Sequence, residues 1–411
     1  MLNIFNSFQK ALQIPVHIAS STSHKIAKHS YESKARSRWQ QQELNQETVL
    51  KWKESVQELY ESKSSVTCSS ENELVRKIKQ KTNEHNRNNV TRTAAYLAFY
   101  QDHPEVHWAL LAHLVSRNGG WNMTDLKGSL LENIFTTKAK KDFFMFLECA
   151  NAFIFHDAYP QLLLYEQSKE KQRNHFHLLP EFGVSIFMKP VWDSFLRDRD
   201  SQLLTIALII NEQHYIEQRI VSNEYYKENV FETSLFEMQE LFHFTNVIFP
   251  YKLRKNRTNL IGLNVSHFAP VEKRIELGKR LYVMLFEIQF IFEDIMLFVD
   301  VTPHTGSRSD YWPQTFSAEK TNGSRLKEIS LTSESESSQP AIFSPPLEGT
   351  WGDVSHKFID GDWYQTKEVF HFFSQVKPPK KFEKTLEYSH TIHKIQAGTF
   401  FWGLGKNLMG G

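Results

Sequence analysis

The sequence predicts an all-α fold: an irregular multi-helix assembly with a polar helical N-terminal arm and a less regular C-terminal part. Three observations lead there. Between residues 89 and 302, apolar side chains recur at helical spacing in long runs that Pro and Gly punctuate. Strand-like alternation is scarce throughout. The chain also carries 32 Phe, 14 Tyr and 9 Trp in 411 residues, and rings in that number predict an interior lined with them, since each buries more area than an aliphatic side chain.

The elements follow in order. Residues 1–88 read as the arm, polar and basic-leaning, with helical stretches near 34–62 and 71–83 and little apolar surface. The aromatic-rich helical core spans 89–302. Its first helix covers Thr91 to Tyr100, and Pro104 restarts the chain, because proline is welcome in a first turn and disfavours helix just before it. The next helix runs to Arg117 and is expected to stop at Gly119-Gly120, where glycine can supply a left-handed cap. A short helix over 124–135 precedes a longer one from Lys138 to Tyr159, ended by Pro160, and a further segment covers 161–173. Val191 to Asn223 reads as one long helix or two nearly continuous ones. Thr233 to Phe249 reads as another, and Pro270 to Val301 as the last strong one.

Residues 303–346 are rich in Ser, Pro, Gly and charge and poor in aliphatics. Such a composition predicts a flexible loop, because little burial offsets the entropy of ordering it. Residues 347–411 read as a mixed segment packing on the core, with a turn at Asp360-Gly361 and a short helix from Gln365 to Phe373.

Composition excludes several classes. With 48 basic and 47 acidic residues the net charge is +1, without the cationic field that bulk nucleic-acid binding needs. Two cysteines, Cys68 among serines and Cys149 in a Phe-rich run, do not make a disulfide framework and fit a reducing compartment. The first residues lack a signal peptide's order, since Lys10 and Pro15 interrupt them. The most apolar window, Leu281 to Val301, contains Glu287, Glu293, Asp294 and Asp300. Each acid at membrane depth costs roughly 2.5–3.5 kcal/mol, so the window reads as a buried soluble helix and the chain as cytoplasmic. The zinc-protease, phosphate-loop, dinucleotide, nucleophile-elbow and paired-cysteine signatures do not occur.

The most individual stretch is HWALLAHLVSRNGGWNMTDLKG, from His107 to Gly128. Its helix is apolar nearly all round, which places His107 and His113 against neighbours. His113 and Arg117 share a face and lead into Asn118, Trp121, Asn122 and Asp125. Such a set suits an anion or ligand pocket; equally, Arg117 and Asn118 can cap helix carbonyls and Thr124 the amides of the next helix. Val90 to Gly128, with the Phe-rich helix after it, resembles the YppC-like family of Bacillus-type bacteria, known as a domain of unknown function. The resemblance implies a bacterial cytosolic protein and brings no catalytic or binding residues with it.

Ionisable residues also stand on otherwise apolar helices. Glu148, Asn151 and His156 share an arc of one; Asn211, His214 and Gln218 form a stripe on another; Glu237, Glu240 and His243 make a third set, and Glu287 with Asp294 a fourth. Carboxylates and imidazoles projecting inward from several helices build bundle metal sites, with Glu-x-x-His as the recurring element. Glu240 and His243 have that spacing and are the metal candidates. Glu148, His156, His214, Glu240 and His243 are the candidates for acid–base work. The same spacing recurs at 368/371 and 387/390, so spacing alone decides nothing, and a solvated polar stripe produces the same pattern. Lys252, Arg254, Lys255 and Arg257 form a basic cluster that can meet a phosphate backbone or an anionic membrane, or simply face water. The reading that results is a non-enzymatic cytosolic structural or interaction protein; the alternative is a metal-binding or acid–base enzyme. No cofactor is identifiable from the residues.

Overall fold

The computed structural model describes residues 22–39, 43–62, 73–131, 135–231, 246–252, 258–264, 270–320, 342–359, 361–365, 367–377, 379, 381–392 and 395. It is predominantly helical, as the sequence predicts. The first helices are α1 (Thr22–Ser37), α2 (Gln46–Glu61) and α3 (Glu73–His85). Asn45 caps α2 by accepting from the Thr48 amide at 3.1 Å. A capping box of Asn88 and Thr91 opens α4 (Asn89–Asp102). Then come α5 (His107–Asp125), α6 (Thr137–Glu170), α7 (Met188–Asp198) and α8 (Ser201–Ile216), the last two separated at Arg199, which has φ +55°, and Asp200, which caps α8. After a hairpin of β1 (Asn246–Lys252) and β2 (Thr258–Asn264) follow α9 (Val271–Phe286) and α10 (Gln289–Val299). Phe316–Ser317 (β3) and Ile342–Phe343 (β4) make a short parallel pair.

SQLLTIALIINEQHYI, the sequence of α8, is apolar on all sides, and such a helix is stable only when neighbours cover its whole circumference. Here α5, α6, α7 and α9 all pack against it. Its residues Leu203 to Asn211 are buried without interruption. The helices of the arm also have partners: α2 buries Val49, Trp52 and Val56 towards α7, and α3 buries Val75 and Ile78 towards α6. Among the described residues, no helix is long and apolar enough to cross a membrane.

The structure departs from the sequence reading at several junctions. The helix expected to stop at Gly119-Gly120 runs on to Asp125, and among the described residues of 126–135 no separate helix follows. Nor does Pro160 end α6, which continues to Glu170. Proline in a helix interior costs about 3 kcal/mol, and burial of Phe155, Tyr159 and Leu162 to Tyr165 around it outweighs that. The segment read as 270–301 breaks at Glu287-Ile288 into α9 and α10.

The helix expected over Thr233 to Phe249 is not one at its end: Asn246–Lys252 is a strand, paired antiparallel with Thr258–Asn264. Residues 232–245 lie outside the described residues. A strand buried on both faces reads as an unbroken apolar run, which periodicity cannot tell from a short buried helix. One residue did carry a signal. A Cβ on Gly262 would fall 2.1 Å from the Val247 carbonyl oxygen, so only glycine lets the two strands meet there.

Residues 303–320 and 342–346, assigned by composition to a flexible loop, are packed against the helices. Ser307, Arg308 and Ser344 are buried, and the Ser307 hydroxyl donates to the Ser344 carbonyl at 2.5 Å. Residues 321–341 lie outside the described residues.

Candidate functional site

The polar interior begins where α4 and α5 cross. A Cβ on Gly120 would stand 2.3 Å from Asn89 Oδ1 and 2.5 Å from His304 Nε2, so glycine here admits a polar cluster instead of capping a helix. Asn89 Nδ2 donates to the Ser116 carbonyl at 2.9 Å, which turns its Oδ1 towards His304 Nε2 at 2.9 Å. The other imidazole nitrogen of His304 lies 3.6 Å from Asp310 Oδ2. Asp310 also accepts from Trp121 Nε1 at 3.3 Å and from the Thr305 amide at 3.0 Å. Burial works to raise the Asp310 carboxyl, but His304 and Thr305 overcome it and hold the group below the usual carboxylate range.

The residues singled out on α5 each meet a different part of the chain. His113 donates from Nδ1 to the Thr93 carbonyl at 2.8 Å, and burial, followed by the nearby Arg117 charge, pushes its imidazole well below the ordinary value. Arg117 donates to the carbonyls of Thr302 at 2.9 Å and Pro303 at 3.2 Å, with its guanidinium over the Phe298 ring; burial lowers it to about 10. Asn118 donates to the Asn246 carbonyl at 3.1 Å and accepts from the Ile248 amide at 3.2 Å, so one side-chain amide stands in for a neighbouring strand along β1. Asn122 and Asp125 both face Arg308. His107 stacks on Phe286 at 4.0 Å and meets the Tyr282 hydroxyl at 3.2 Å, and burial lowers it to about 4. The seven residues do not surround a common space. Nor do they cap helices: the carbonyls that Arg117 and Asn118 satisfy belong to distant segments outside the helices, and the Thr124 hydroxyl donates to the Gly306 carbonyl instead of accepting from the amides of a next helix.

The acid–base candidates are also dispersed. Glu148 accepts from Arg92 at 2.5 Å, and its other oxygen lies 3.5 Å from His356 Nε2. His156 stacks on Phe358 at 3.7 Å. His214 stacks on Trp363 at 4.7 Å, and burial brings it down to about 4. Glu240 and His243 lie outside the described residues. Among the described residues, no group of three or more His, Cys, Asp or Glu side chains is placed to hold a metal ion. Of the basic cluster, Lys252 ends β1, and Arg254, Lys255 and Arg257 lie outside the described residues.

Sequence reasoning missed the groups that are most deeply engaged. Arg92 is fully buried and bonds Asn86 Oδ1 at 3.0 Å as well as Glu148. Asp157 accepts from Asn211 at 2.5 Å and Gln161 at 2.9 Å. Burial raises its carboxyl to about 7, and that of Glu212, which accepts from Trp108 Nε1 at 3.1 Å, to about 8. Arg219 donates to the Ile359 carbonyl at 3.0 Å and the Gly361 carbonyl at 2.5 Å. Arg308 is buried between Asp125, Tyr311 and Tyr388. A cation inside an apolar run, as in VTRTAAYLAFY around Arg92, was the available signal. Its charged partner, Glu148, lies 56 residues away, and spacing does not reveal it.

What this arrangement does chemically is join segments. Arg92 through Glu148, Arg117, Arg219 and Arg308 each tie residues from 302 onward to α4, α5, α6 or the end of α8. Away from them, a groove of about 650 Å³ opens between α2 and α7, lined by Lys51, Trp52, Glu58, Lys189, Asp193 and Arg197 among others.

Known sequences resemble this chain over most of its length. A family model described as protein of unknown function (DUF2515) matches residues 84–396, which contain every cluster from Asn86 to Tyr388. The uncharacterized protein YppC of Bacillus subtilis (strain 168) is 40% identical over 327 residues, covering 79% of this chain and 93% of that protein. No solved structure matches. By the extent of both matches, the chain belongs to the DUF2515 family.

Proposed function

We propose that this protein is a non-enzymatic, cytosolic structural or interaction protein. One observation carries the reading: its buried guanidinium groups are turned on other parts of the same chain. Arg117 and Arg219 hold backbone carbonyls, Arg92 holds Glu148, and Arg308 holds Asp125. A buried charge left without a partner costs several kcal/mol, so these pairings account for the polar interior by the work of holding residues 302–308 and 356–359 across the helices. A catalytic centre would instead gather its groups around a space open to substrate. A half-buried Cys149, whose thiol burial raises to about 11, fits a reducing compartment. The groove between α2 and α7 offers the surface on which such a body can meet a partner.

Elemental analysis with native mass spectrometry on untagged protein tests the reading against the metal-binding or acid–base alternative. The expected result is the mass of the bare chain, alone or with protein partners. A stoichiometric metal or small molecule retained through purification would overturn it.

A further inference from the structure

Charge nearly cancels over the whole chain but is unevenly spread. From 22 to 39 the sequence carries Lys25, Lys28, Lys34, Arg36 and Arg38 against one acid, Glu32. Folding then sorts the two signs. The Glu32 carboxylate is buried and accepts from the amides of Phe382 at 3.0 Å and Glu383 at 3.1 Å. Glu383 is buried in turn and accepts from the Thr385 amide, while Lys28 donates to the Glu383 carbonyl at 2.8 Å. Tyr31 stacks on Tyr251 at 5.1 Å, meets Phe290 edge-on and donates to Asp294. Through these contacts α1 lies between residues 382–383 on one side and the end of β1 with the start of α10 on the other.

What is left outward is cationic. Lys34, Arg36, Arg38 and Lys381 are exposed, and Lys252, next after Tyr251, is half-buried. Lys34 stands 4.2 Å over the Phe290 ring. Arg36 follows Glu32 by one helical turn and so leans to the side of Lys381. Between those two flanks Ser30, Ser33 and Ser37, three and four apart, form one exposed line of hydroxyls. Among the described residues no ion pair joins Lys34, Arg38, Lys252 or Lys381 to a carboxylate.

We propose that this face binds the phosphate backbone of a double-stranded nucleic acid, without reading its sequence. Phosphate oxygens are held by Lys, Arg and Ser side chains, which is the composition of this surface. A single strand needs rings on which its bases stack, and Tyr31, Tyr251 and Phe290 are turned on one another. An anionic bilayer needs an apolar face beside the cations. Here α1 turns Tyr31 and Ala35 towards the protein, and the exposed Leu297 and Val301 stand beside the exposed acids Glu293 and Asp300, which such a surface repels. The net charge of +1 excludes a cationic field around the whole molecule; a local footprint needs only cations gathered on one side. The proposal rests on the interaction reading above and names the chemistry of the partner.

The test uses the full chain with labelled DNA and RNA duplexes of mixed sequence, followed by fluorescence anisotropy from about 50 to 200 mM salt. Affinity for the DNA duplex is expected to fall with salt at a log–log slope of about −3 to −5, roughly 0.9 for each phosphate contacted. Arg38→Glu with Lys252→Glu and Lys381→Glu should weaken binding roughly tenfold or more at the lowest salt and flatten the slope by about 2 to 3. Charge reversals at the exposed Arg76, Lys171 and Arg173, on α3 and past the end of α6, should change affinity by less than about twofold. Should the first variant fail to fold, Gln at the same three positions is expected to flatten the slope in the same way. No binding of either duplex at the lowest salt would overturn the proposal, as would equal losses in the two sets of reversals, or uptake by anionic vesicles in place of the duplexes. Strand cleavage would sink the non-enzymatic reading and leave the binding face standing; failure to bind a duplex would remove the face and leave the interaction reading intact.

Discussion

Arg308 and Asp125 meet side by side in the interior, with Nε 2.8 Å from both carboxylate oxygens and Nη2 2.6 Å from Oδ2. The remaining donors of the guanidinium are taken by the hydroxyls of Tyr311 and Tyr388 and the amide oxygen of Asn122. A two-pronged pair of this kind fixes position as well as charge. It joins the last turn of α5 to a segment 183 positions later.

Removing one partner leaves the other charged in the interior. Asp125→Ala is expected to destabilise the protein by about 3–5 kcal/mol. Asp125→Ala combined with Arg308→Met should cost clearly less than Asp125→Ala alone, since no buried charge is then left unpaired. Urea unfolding of the two variants measures the difference. Equal losses would mean that the pair is not buried as described.

The adjacent glycines of α5 give a paired test of close approach. Gly120→Ala drives a methyl to 2.3 Å from Asn89 Oδ1 and 2.5 Å from His304 Nε2, so it should destabilise by about 1–3 kcal/mol or more. Gly119→Ala meets only the Asn151 side chain, at 3.3 Å. The better helix propensity of alanine, about 1 kcal/mol, should leave that variant near or above wild-type stability. Thermal unfolding separates the two, and a Gly120→Ala protein as stable as Gly119→Ala would contradict the crossing of α4 and α5.

Those same glycines show where the sequence was legible and where it was not. Apolar runs announced α4, α5, α6 and α8, because burial of a face or of a whole helix is written locally. The glycine pair reads locally as a stop, and what decides otherwise is Asn89 and His304, brought to it by folding. His107 and His113 were placed against neighbours by their apolar setting, and they stand so, while Arg117 and Asn118 were named beside them for a pocket or for capping. Their partners at 93, 302–303 and 246–248 were out of reach of any spacing argument. In the Ser-rich stretch the average composition outvoted single residues: Arg308, Tyr311 and Trp312 anchor it, and an arginine beside two rings was the sign that it packs.

Asn118 supplies both bonds that the open edge of β1 makes with α5, one as donor to Asn246 and one as acceptor from Ile248. Leucine has a similar size and neither group. Asn118→Leu should therefore strand a buried amide and a buried carbonyl, at about 1–3 kcal/mol for each group left unsatisfied. The local readout is amide exchange at Ile248, expected to accelerate in this variant beyond the rise at Leu260 on the partner strand. A uniform rise across both strands would point to global loosening instead.

Asp157 makes stability depend on pH in an unusual direction. Its carboxyl is buried, with two amides on one oxygen and none on the other, and burial raises it from an ordinary 3.8 to about 7. Asn211, Arg219 and Gln161 lower it, and Asp362 works with the burial. The folded chain thus holds a proton that the unfolded chain has released, so folding is favoured where both states are protonated. This contribution is complete below about pH 4 and is lost as pH rises to about 7. Asp157→Asn removes the titration and keeps an acceptor for Asn211 and Gln161. Its stability relative to wild type should climb through that window by on the order of 4 kcal/mol, at about 1.4 kcal/mol for each pH unit crossed, and level off above it. Chemical unfolding of both proteins at pH 4.5, 6 and 8 (roughly the bottom, middle and top of the window) traces the difference. A difference constant across that range would show that the Asp157 carboxyl is already ionised at the acid end, held there by Arg219 more strongly than its burial opposes.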